Sequence, residues 1–151
     1  MTTPDDIFAR NRVILTHFDS YSTALLFPRW EGGTLLLPQA LPASASPMPA
    51  PAEVGPEHSG AAVLQAVLMR YGLNADELIH ADDYRQWVQT DNGPIRIHLL
   101  RFTTFEAPKA ALEALGGSFK PMSQLRSSAM NELVLLREVF NLIVGNGGAQ
   151  G

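Results

Sequence analysis

A proline- and alanine-rich stretch between residues 39 and 56 divides the chain and limits what it can fold into. It contains five prolines, separated mostly by alanine and serine, at positions 42, 47, 49, 51 and 56. Proline has no backbone N–H and fixes φ, so this stretch cannot form the interior of a helix or a central strand. We interpret it as a surface loop that acts as a spacer, with a partner-binding polyproline segment as the alternative. The fold must therefore be built from the residues on either side of this loop.

The residues before this loop favour β-structure. Residues 12–17 and 23–27 are rich in β-forming side chains, and Asp19-Ser20 offers a turn between them, so we expect a hairpin. Residues 34–38 form a third apolar run that is too continuous for a half-exposed strand. We expect this third run to be buried on both faces.

A helix is predicted over residues 61–71, directly after the loop. Gly55, Pro56 and Glu57 suit its start and first turn, and Gly72 suits its end. The helix is apolar nearly all round, which predicts burial on more than one side.

The rest of the chain is predicted to contain both helices and strands. Asn74 is a good cap for a short helix, and Asp91-Asn92-Gly93 is a strong hairpin signal between two β-rich segments. The predicted elements are a helix, a hairpin, a second short helix and a terminal helix, over residues 75–80, 84–102, 108–115 and 131–144. This order predicts an α/β fold with a mixed sheet covered on both faces.

The composition fits one domain with a sizeable core. Of the 151 residues, 46% are hydrophobic and 17% are charged, which allows a core without disulfides. We predict a single domain over residues 12–145, with a polar lead at residues 1–11 and a flexible tail at residues 146–151.

Charge, cysteine content and hydropathy exclude several classes of function. The net charge is -4 and no lysines or arginines cluster, so duplex nucleic acid is not an expected partner. The chain has no cysteine, which excludes disulfides and thiolate chemistry. No apolar run approaches the roughly 20 residues of a membrane span, and residues 1–10 lack the apolar core of a signal peptide. We therefore expect no membrane association and a cytoplasmic location.

The four histidines offer no site by their spacing. His17, His58, His80 and His98 form no pair four residues apart and have no carboxylate pattern near them. A metal-binding or acid–base role is therefore not predicted for them. We expect most of them to be surface or half-buried polar residues.

The order of elements resembles that of the Nudix hydrolase family over residues 12–145. Three segments carry the resemblance: Leu36-Leu37-Pro38 before the loop, residues 62–73 at the family's box helix, and residues 117–125 at its late strand. The resemblance implies an α/β/α sandwich with a mixed central sheet. It also implies hydrolysis of nucleoside diphosphate derivatives with Mg²⁺ held by carboxylates of the box helix.

The chain departs from the family's box at the residues that hold the metal. When the end of the box is placed on Gly72-Leu73, only four residues agree with the box: Glu57, Val67, Gly72 and Leu73. Gln65-Ala66 replaces the family's Arg-Glu, Met69-Arg70 replaces its Glu-Glu pair, and Pro51 replaces its first Gly. Mg²⁺ requires oxygen ligands, and Arg70 adds a positive charge instead. We therefore expect no ordinary Nudix hydrolysis and no cofactor.

Four residues are candidates for binding a ligand. Arg29 and Trp30 are candidates for a charged contact and a stacking face for a nucleotide-like molecule, although Trp30 equally suits a cover for the sheet. Glu57 suits the first turn of the predicted helix by its charge, and Arg70 suits the last turn. Both residues are also candidates for contacting a ligand: Glu57 through its carboxylate, and Arg70 by binding a phosphate of the ligand.

Two functions follow as hypotheses. The first is a catalytically impaired Nudix-fold module that binds a nucleotide or sugar-phosphate, or that binds a protein partner or a second copy of itself. The alternative is a hydrolase with a Mg²⁺ site rebuilt from carboxylates outside the box, namely Glu53, Glu57, Asp82, Asp83 and Glu106.

Overall fold

A mixed β-sheet forms the centre of the protein. The structure, a computed structural model, describes residues 6–19 and 24–145, and within them the sheet has seven strands. The strands are β1 (Asn11–Asp19), β2 (Ala24–Trp30), β3 (Ser46–Met48), β4 (Leu78–His80), β5 (Gln86–Thr90), β6 (Gly93–Phe102) and β7 (Gly117–Pro121). The helices of the described residues are α1 (Gly60–Tyr71), α2 (Lys109–Glu113) and α3 (Met130–Phe140). The predicted α/β class is therefore confirmed.

The sheet has the order β3-β5-β6-β1-β2-β7. β1 runs parallel to β6, and the other pairs of described strands are antiparallel. β4 and β5 both pair with β6, and residues 81–85 between them form a loop that leaves the ladder. The hairpin predicted at Asp91-Asn92-Gly93 is confirmed, because Thr90 pairs with Gly93 and leaves Asp91-Asn92 as a two-residue turn.

Each face of the sheet is covered by a helix. Val13 and Leu15 of β1 pack in one core with residues of α1, whereas Ile14 packs in the other core with residues of α3. This separation follows from the alternation of side chains along a strand. The described residues thus form three layers with the sheet in the middle.

Helix α1 begins and ends at strong signals but buries only one side. The Ser59 hydroxyl accepts a hydrogen bond from the Ala62 N–H at 3.3 Å, and Gly72 ends the helix with φ of 65°. The prediction that this helix is buried on more than one side is wrong, because Ala61, Ala62 and Met69 are exposed. The buried side consists of Val63, Ala66, Val67 and Leu68.

Two predictions about the segment before α1 need correction. Residues 34–38 are not a strand, because the segment meets the sheet only at a bridge between Val13 and Leu37. Their predicted burial is confirmed: Leu35 and Leu36 are buried in the core on the α3 side, and Leu37 is buried in the core on the α1 side. The proline-rich stretch is not only a spacer loop, because it contains β3. Pro47 is tolerated there because β3 is an edge strand.

The segment after α1 is a strand where a helix was predicted. The Asn74 side chain accepts a hydrogen bond from the Asp76 N–H at 2.9 Å, but the helix it caps is a single turn, Ala75–Glu77. Residues 78–80 form β4 instead, because pairing with β6 satisfies their backbone groups.

The later helices agree with their predictions. Helix α2 lies within the predicted residues 108–115, and α3 begins one residue before the predicted start and continues into a further turn, Asn141–Gly145. No helix among the described residues has the length and apolar character needed to cross a bilayer. The predicted turn residue Ser20, part of the polar lead and the tail at 146–151 lie outside the described residues.

Candidate functional site

An open pocket lies beside the C-terminal end of α1. It has a volume of about 280 Å³ and is lined by Phe8, Ala9, Pro38, Gln39 and Arg70; we call it the Arg70 pocket. The guanidinium of Arg70 lies 5.6 Å from the centre of the Phe8 ring and 5.6 Å from that of the Tyr71 ring. These cation–π contacts hold the positive charge at the pocket.

The box positions of α1 carry no metal ligand. Ala66, which is buried in the core, and Met69, which is 65% exposed, have side chains without an oxygen atom. Arg70 brings a cation to the pocket. This stretch of α1 is therefore suited to an anion and not to Mg²⁺.

Glu57 does not line the Arg70 pocket. It belongs to the turn Pro56–His58, which precedes α1, whereas Arg70 lies in the last turn of this 12-residue helix, which is about 18 Å long. The prediction that Glu57 occupies the first turn of the helix is wrong, because the helix begins at Gly60 and is capped by Ser59. The Glu57 carboxylate instead lies 3.8 Å from His58 Nε2.

Arg29 and Trp30 do not converge on a common ligand. They are neighbours in β2, so their side chains point to opposite faces of the sheet. Trp30 is buried in the core on the α1 side, with its ring centre 6.5 Å from that of Tyr71. Trp30 therefore covers the sheet and offers no stacking face to a nucleotide.

A chain of hydrogen-bonded side chains connects Asp82 at the surface to the interior, beside the N-terminus of α1. His80 Nδ1 lies 2.7 Å from Asp82 Oδ1, and His80 Nε2 lies 2.9 Å from His98 Nδ1. His98 Nε2 lies 2.7 Å from Asn11 Oδ1, which His58 Nδ1 approaches to 3.4 Å. We call these five residues the histidine chain.

Burial sets the protonation of two of these histidines. Burial, followed by the nearby charges of Arg96, His80 and His58, lowers the pKa of His98 to about 2. Burial also lowers the pKa of His58, although the Glu57 carboxylate opposes this shift. Both rings are therefore neutral at physiological pH.

The expectation that most histidines are surface or half-buried is wrong. His17, His58 and His98 are buried, and the His80 side chain is only 7% exposed. The pairing of β4 with β6 places His80 opposite Leu100, two residues from His98, and the parallel pairing of β1 with β6 adds Asn11. These contacts are long-range, so the spacing of the histidines did not reveal them. The one local signal was Asp82, two residues after His80.

The carboxylates proposed for a rebuilt metal site do not assemble among the described residues. No group of three or more His, Asp or Glu side chains in that part of the chain is placed to hold a metal ion. Asp82 pairs with His80, and Glu57 lies beside His58.

Comparison with known proteins leaves the family resemblance as a prediction. No family model matches the chain, and no curated protein matches it. The resemblance therefore rests on the residues that suggested it.

Gly60 provides a test of the histidine chain. A Cβ at this position would lie 2.6 Å from His80 Cε1 and 2.7 Å from Nε2, in a ring held from both sides. An ordinary Gly→Ala change in a helix stabilises a protein by about 0.5–1 kcal/mol. We expect Gly60→Ala to destabilise this protein by about 1–3 kcal/mol instead, because the ring must move.

Urea unfolding of Gly60→Ala in two backgrounds checks this expectation. In a His80→Ala background the obstructing ring is absent, so Gly60→Ala should stabilise the protein. The same sign of change in both backgrounds would contradict the described packing.

Proposed function

We propose that the chain is a catalytically impaired, Nudix-like module that binds the phosphate groups of a nucleotide or sugar-phosphate in the Arg70 pocket. The observation that carries this proposal is Arg70 itself. It lines a pocket together with Pro38, the residue that the family resemblance places beside the box helix. The resemblance implies carboxylates and Mg²⁺ at this place, whereas the side chain present is a guanidinium.

The chemistry of the pocket suits an anion. A guanidinium binds phosphate oxygens through paired N–H donors, and the aromatic rings beside Arg70 restrict its orientation. Gln39 is exposed at the same pocket and has an amide donor. The volume of about 280 Å³ is at the small end of ligand sites, so we infer that phosphates enter and the rest of the ligand lies outside.

The same residues argue against metal-assisted hydrolysis at this pocket. A bound Mg²⁺ neutralises the diphosphate and activates water, and it needs carboxylate or other oxygen ligands. Met69 and Arg70 offer none, and the charge of Arg70 repels a cation. Arg70 replaces the neutralising effect of the metal but supplies no base for the attacking water. Binding without turnover is the expected result.

Calorimetric titration with ADP, ADP-glucose and pyrophosphate tests this proposal. We expect Arg70→Ala to weaken binding by about 10- to 100-fold, because a charge-assisted hydrogen bond contributes about 1.5–3 kcal/mol. Arg137→Ala is the matched control, since Arg137 is also an exposed arginine in the last turn of its helix but lies on α3. Its affinity should equal that of the parent protein.

A hydrolysis screen with Mg²⁺ and Mn²⁺ on the same ligands decides between the two hypotheses. Turnover that disappears on mutation of Glu57 or the Asp82-Asp83 pair would overturn the proposal in favour of a rebuilt metal site. An absence of both turnover and binding would also overturn it and direct attention to a protein partner or a homodimer. The exposed Ala61, Ala62 and Met69 of α1 would then be the first surface to test.

A further inference from the structure

The part of the histidine chain from Asp82 to Asn11, which leaves out His58, ends at a hydrogen-bond acceptor on both sides. At one end is the carboxylate of Asp82, which is 90% exposed. At the other end is Asn11 Oδ1, and its identity as oxygen is fixed by its neighbour: Asn11 Nδ2 donates to the Ile7 and Glu57 carbonyls, each at 2.8 Å. An amide that donates to two carbonyls can only turn its oxygen toward His98.

The acceptors at the two ends, Asp82 and Asn11, determine how many protons His80 and His98 must carry between them. Three links join Asp82, His80, His98 and Asn11, and each link needs one proton. Two neutral imidazoles carry only two protons between them. A third proton is therefore required for all three links to form.

His80 is the place for the third proton. His98 must donate from Nε2 to Asn11, which leaves its Nδ1 as an acceptor for the His80 Nε2–H. His80 Nδ1–H then donates to Asp82, so both nitrogens of His80 carry a proton. The lowered pKa of His98 agrees with this assignment, because it keeps His98 neutral.

We propose that His80 is a protonated clasp, an imidazolium that joins Asp82 to the His98–Asn11 pair, and that loss of its second proton opens this clasp. With only two protons on the rings, two lone pairs must face each other across one of the three links. Because those links are 2.7–2.9 Å long, the facing atoms repel and must separate.

The charges around His80 come from several elements. Asp82 attracts the imidazolium, whereas Arg96 of β6 and Arg85 of the loop between β4 and β5 add positive charge nearby. Arg85 Nε donates to the Asp82 carbonyl at 3.3 Å. The N-terminus of α1, at Gly60, faces the ring directly and also disfavours a cation. His58, with Glu57 and Arg10 near it, lies beyond Asn11. Asp82 is thus the one carboxylate in direct contact with His80 among the described residues.

The clasp holds the wall of the Arg70 pocket. Through Asn11 it fixes the Ile7 carbonyl, and the next two residues, Phe8 and Ala9, line the pocket. Asn11 and Arg96 also fix the Glu57 and His58 carbonyls in the turn before α1. An open clasp therefore loosens this wall and weakens ligand binding as pH rises. This consequence rests on the proposed function, whereas the protonation of His80 does not.

Imidazole ¹⁵N spectroscopy of the full chain tests the clasp. At neutral pH we expect His80 to show two protonated nitrogens and His98 to show the neutral Nε2–H form. Asp82→Asn should abolish the doubly protonated signal of His80 at the same pH, because it removes the carboxylate that faces the cation. Asp83→Asn is the matched control, an equally exposed neighbour, and should leave the signal unchanged.

Each outcome decides a separate point. A neutral His80 in the parent protein, or equal effects of the two variants, would overturn the clasp. His80 can prove to be doubly protonated while ADP binds to the Arg70 pocket with the same affinity before and after His80 loses its proton. That result would overturn the proposed effect of His80 on the pocket. If ADP does not bind at any pH, the proposed function fails while the ¹⁵N result still decides the clasp.

Discussion

The free energy of unfolding is expected to fall steeply as the pH drops below about 6.5, the ordinary pKa of histidine. The cause is the neutral burial of His98 and His58, whose pKa values are lowered in the folded protein. In the unfolded chain these rings take up protons below that pH, whereas in the folded protein they take them up only at a lower pH. The unfolded state then binds more protons, and stability rises with pH and is lost as pH falls.

The expected size of this effect is large. Each ring that stays neutral in the folded state costs about 1.4 kcal/mol per pH unit in this window. For His98 the window extends from the unfolded value down to a pKa of about 2. By pH 4.5 we therefore expect His98 alone to remove about 2.7 kcal/mol, out of the 5–15 kcal/mol that is typical of a domain. His58 adds to the loss in the same direction.

Urea unfolding at several pH values between about 5 and 7 measures this slope, in a range where carboxylates contribute least. His98→Gln removes one of the two rings, so the slope should decrease by about 1.4 kcal/mol per pH unit. Equal slopes in the parent protein and the variant would contradict the neutral burial of His98.

Elements with local signals were predictable from the sequence. Asp91-Asn92-Gly93 fixed the hairpin, because its residues tolerate the turn and the flanking segments favour strands. Gly72 marked the end of α1 because it adopts a left-handed conformation there. Both signals act within a few residues and need no knowledge of the rest of the chain.

Elements that depend on distant partners were not predictable in this way. Residues 78–80 are a strand because β6 pairs with them, which overrides the helix favoured by Asn74. The histidine chain needs the antiparallel pairing of β4 with β6 and the parallel pairing of β1 with β6, and the spacing of the histidines contains neither.

Some candidate site residues lie where the sequence placed them, and others do not. Arg70 and Pro38 line one pocket, as expected if the helix and the preceding loop are neighbours. Arg29 and Trp30 are neighbours in sequence, but strand geometry separates them, so adjacency alone was misleading. Glu57 matched the box by spacing but belongs to a separate turn at the other end of α1.

Residues 34–36 show how one distant side chain determines a local structure. Glu132 of α3 is 2% exposed, and its carboxylate accepts hydrogen bonds from the Thr34 hydroxyl at 2.6 Å and from the Leu35 N–H at 2.9 Å. The Leu36 N–H donates in turn to the Thr34 hydroxyl at 3.2 Å. Glu132 is 97 residues away from Leu35 along the chain, and it supplies the acceptors that a neighbouring strand would supply in a sheet.

We expect Glu132→Ala to destabilise the protein by about 3–5 kcal/mol. The change leaves the Leu35 N–H and the Thr34 hydroxyl without their acceptor in the interior, and each orphaned group costs about 1–3 kcal/mol. Glu132→Gln keeps one acceptor oxygen and nearly the same volume, so it should cost about half as much. Glu138→Ala, at an exposed position of the same helix, should change stability by less than about 0.5 kcal/mol.

Urea unfolding of the three variants at neutral pH ranks these costs. Glu132→Ala is expected to lose the most stability and Glu132→Gln less, whereas Glu138→Ala should be nearly as stable as the parent protein. A Glu132→Ala cost no larger than that of Glu138→Ala would mean that residues 34–36 are held by apolar burial alone. Because Pro38 and Gln39 follow this segment and line the Arg70 pocket, Glu132→Gln should also weaken ADP binding there, although Glu132 itself does not line the pocket.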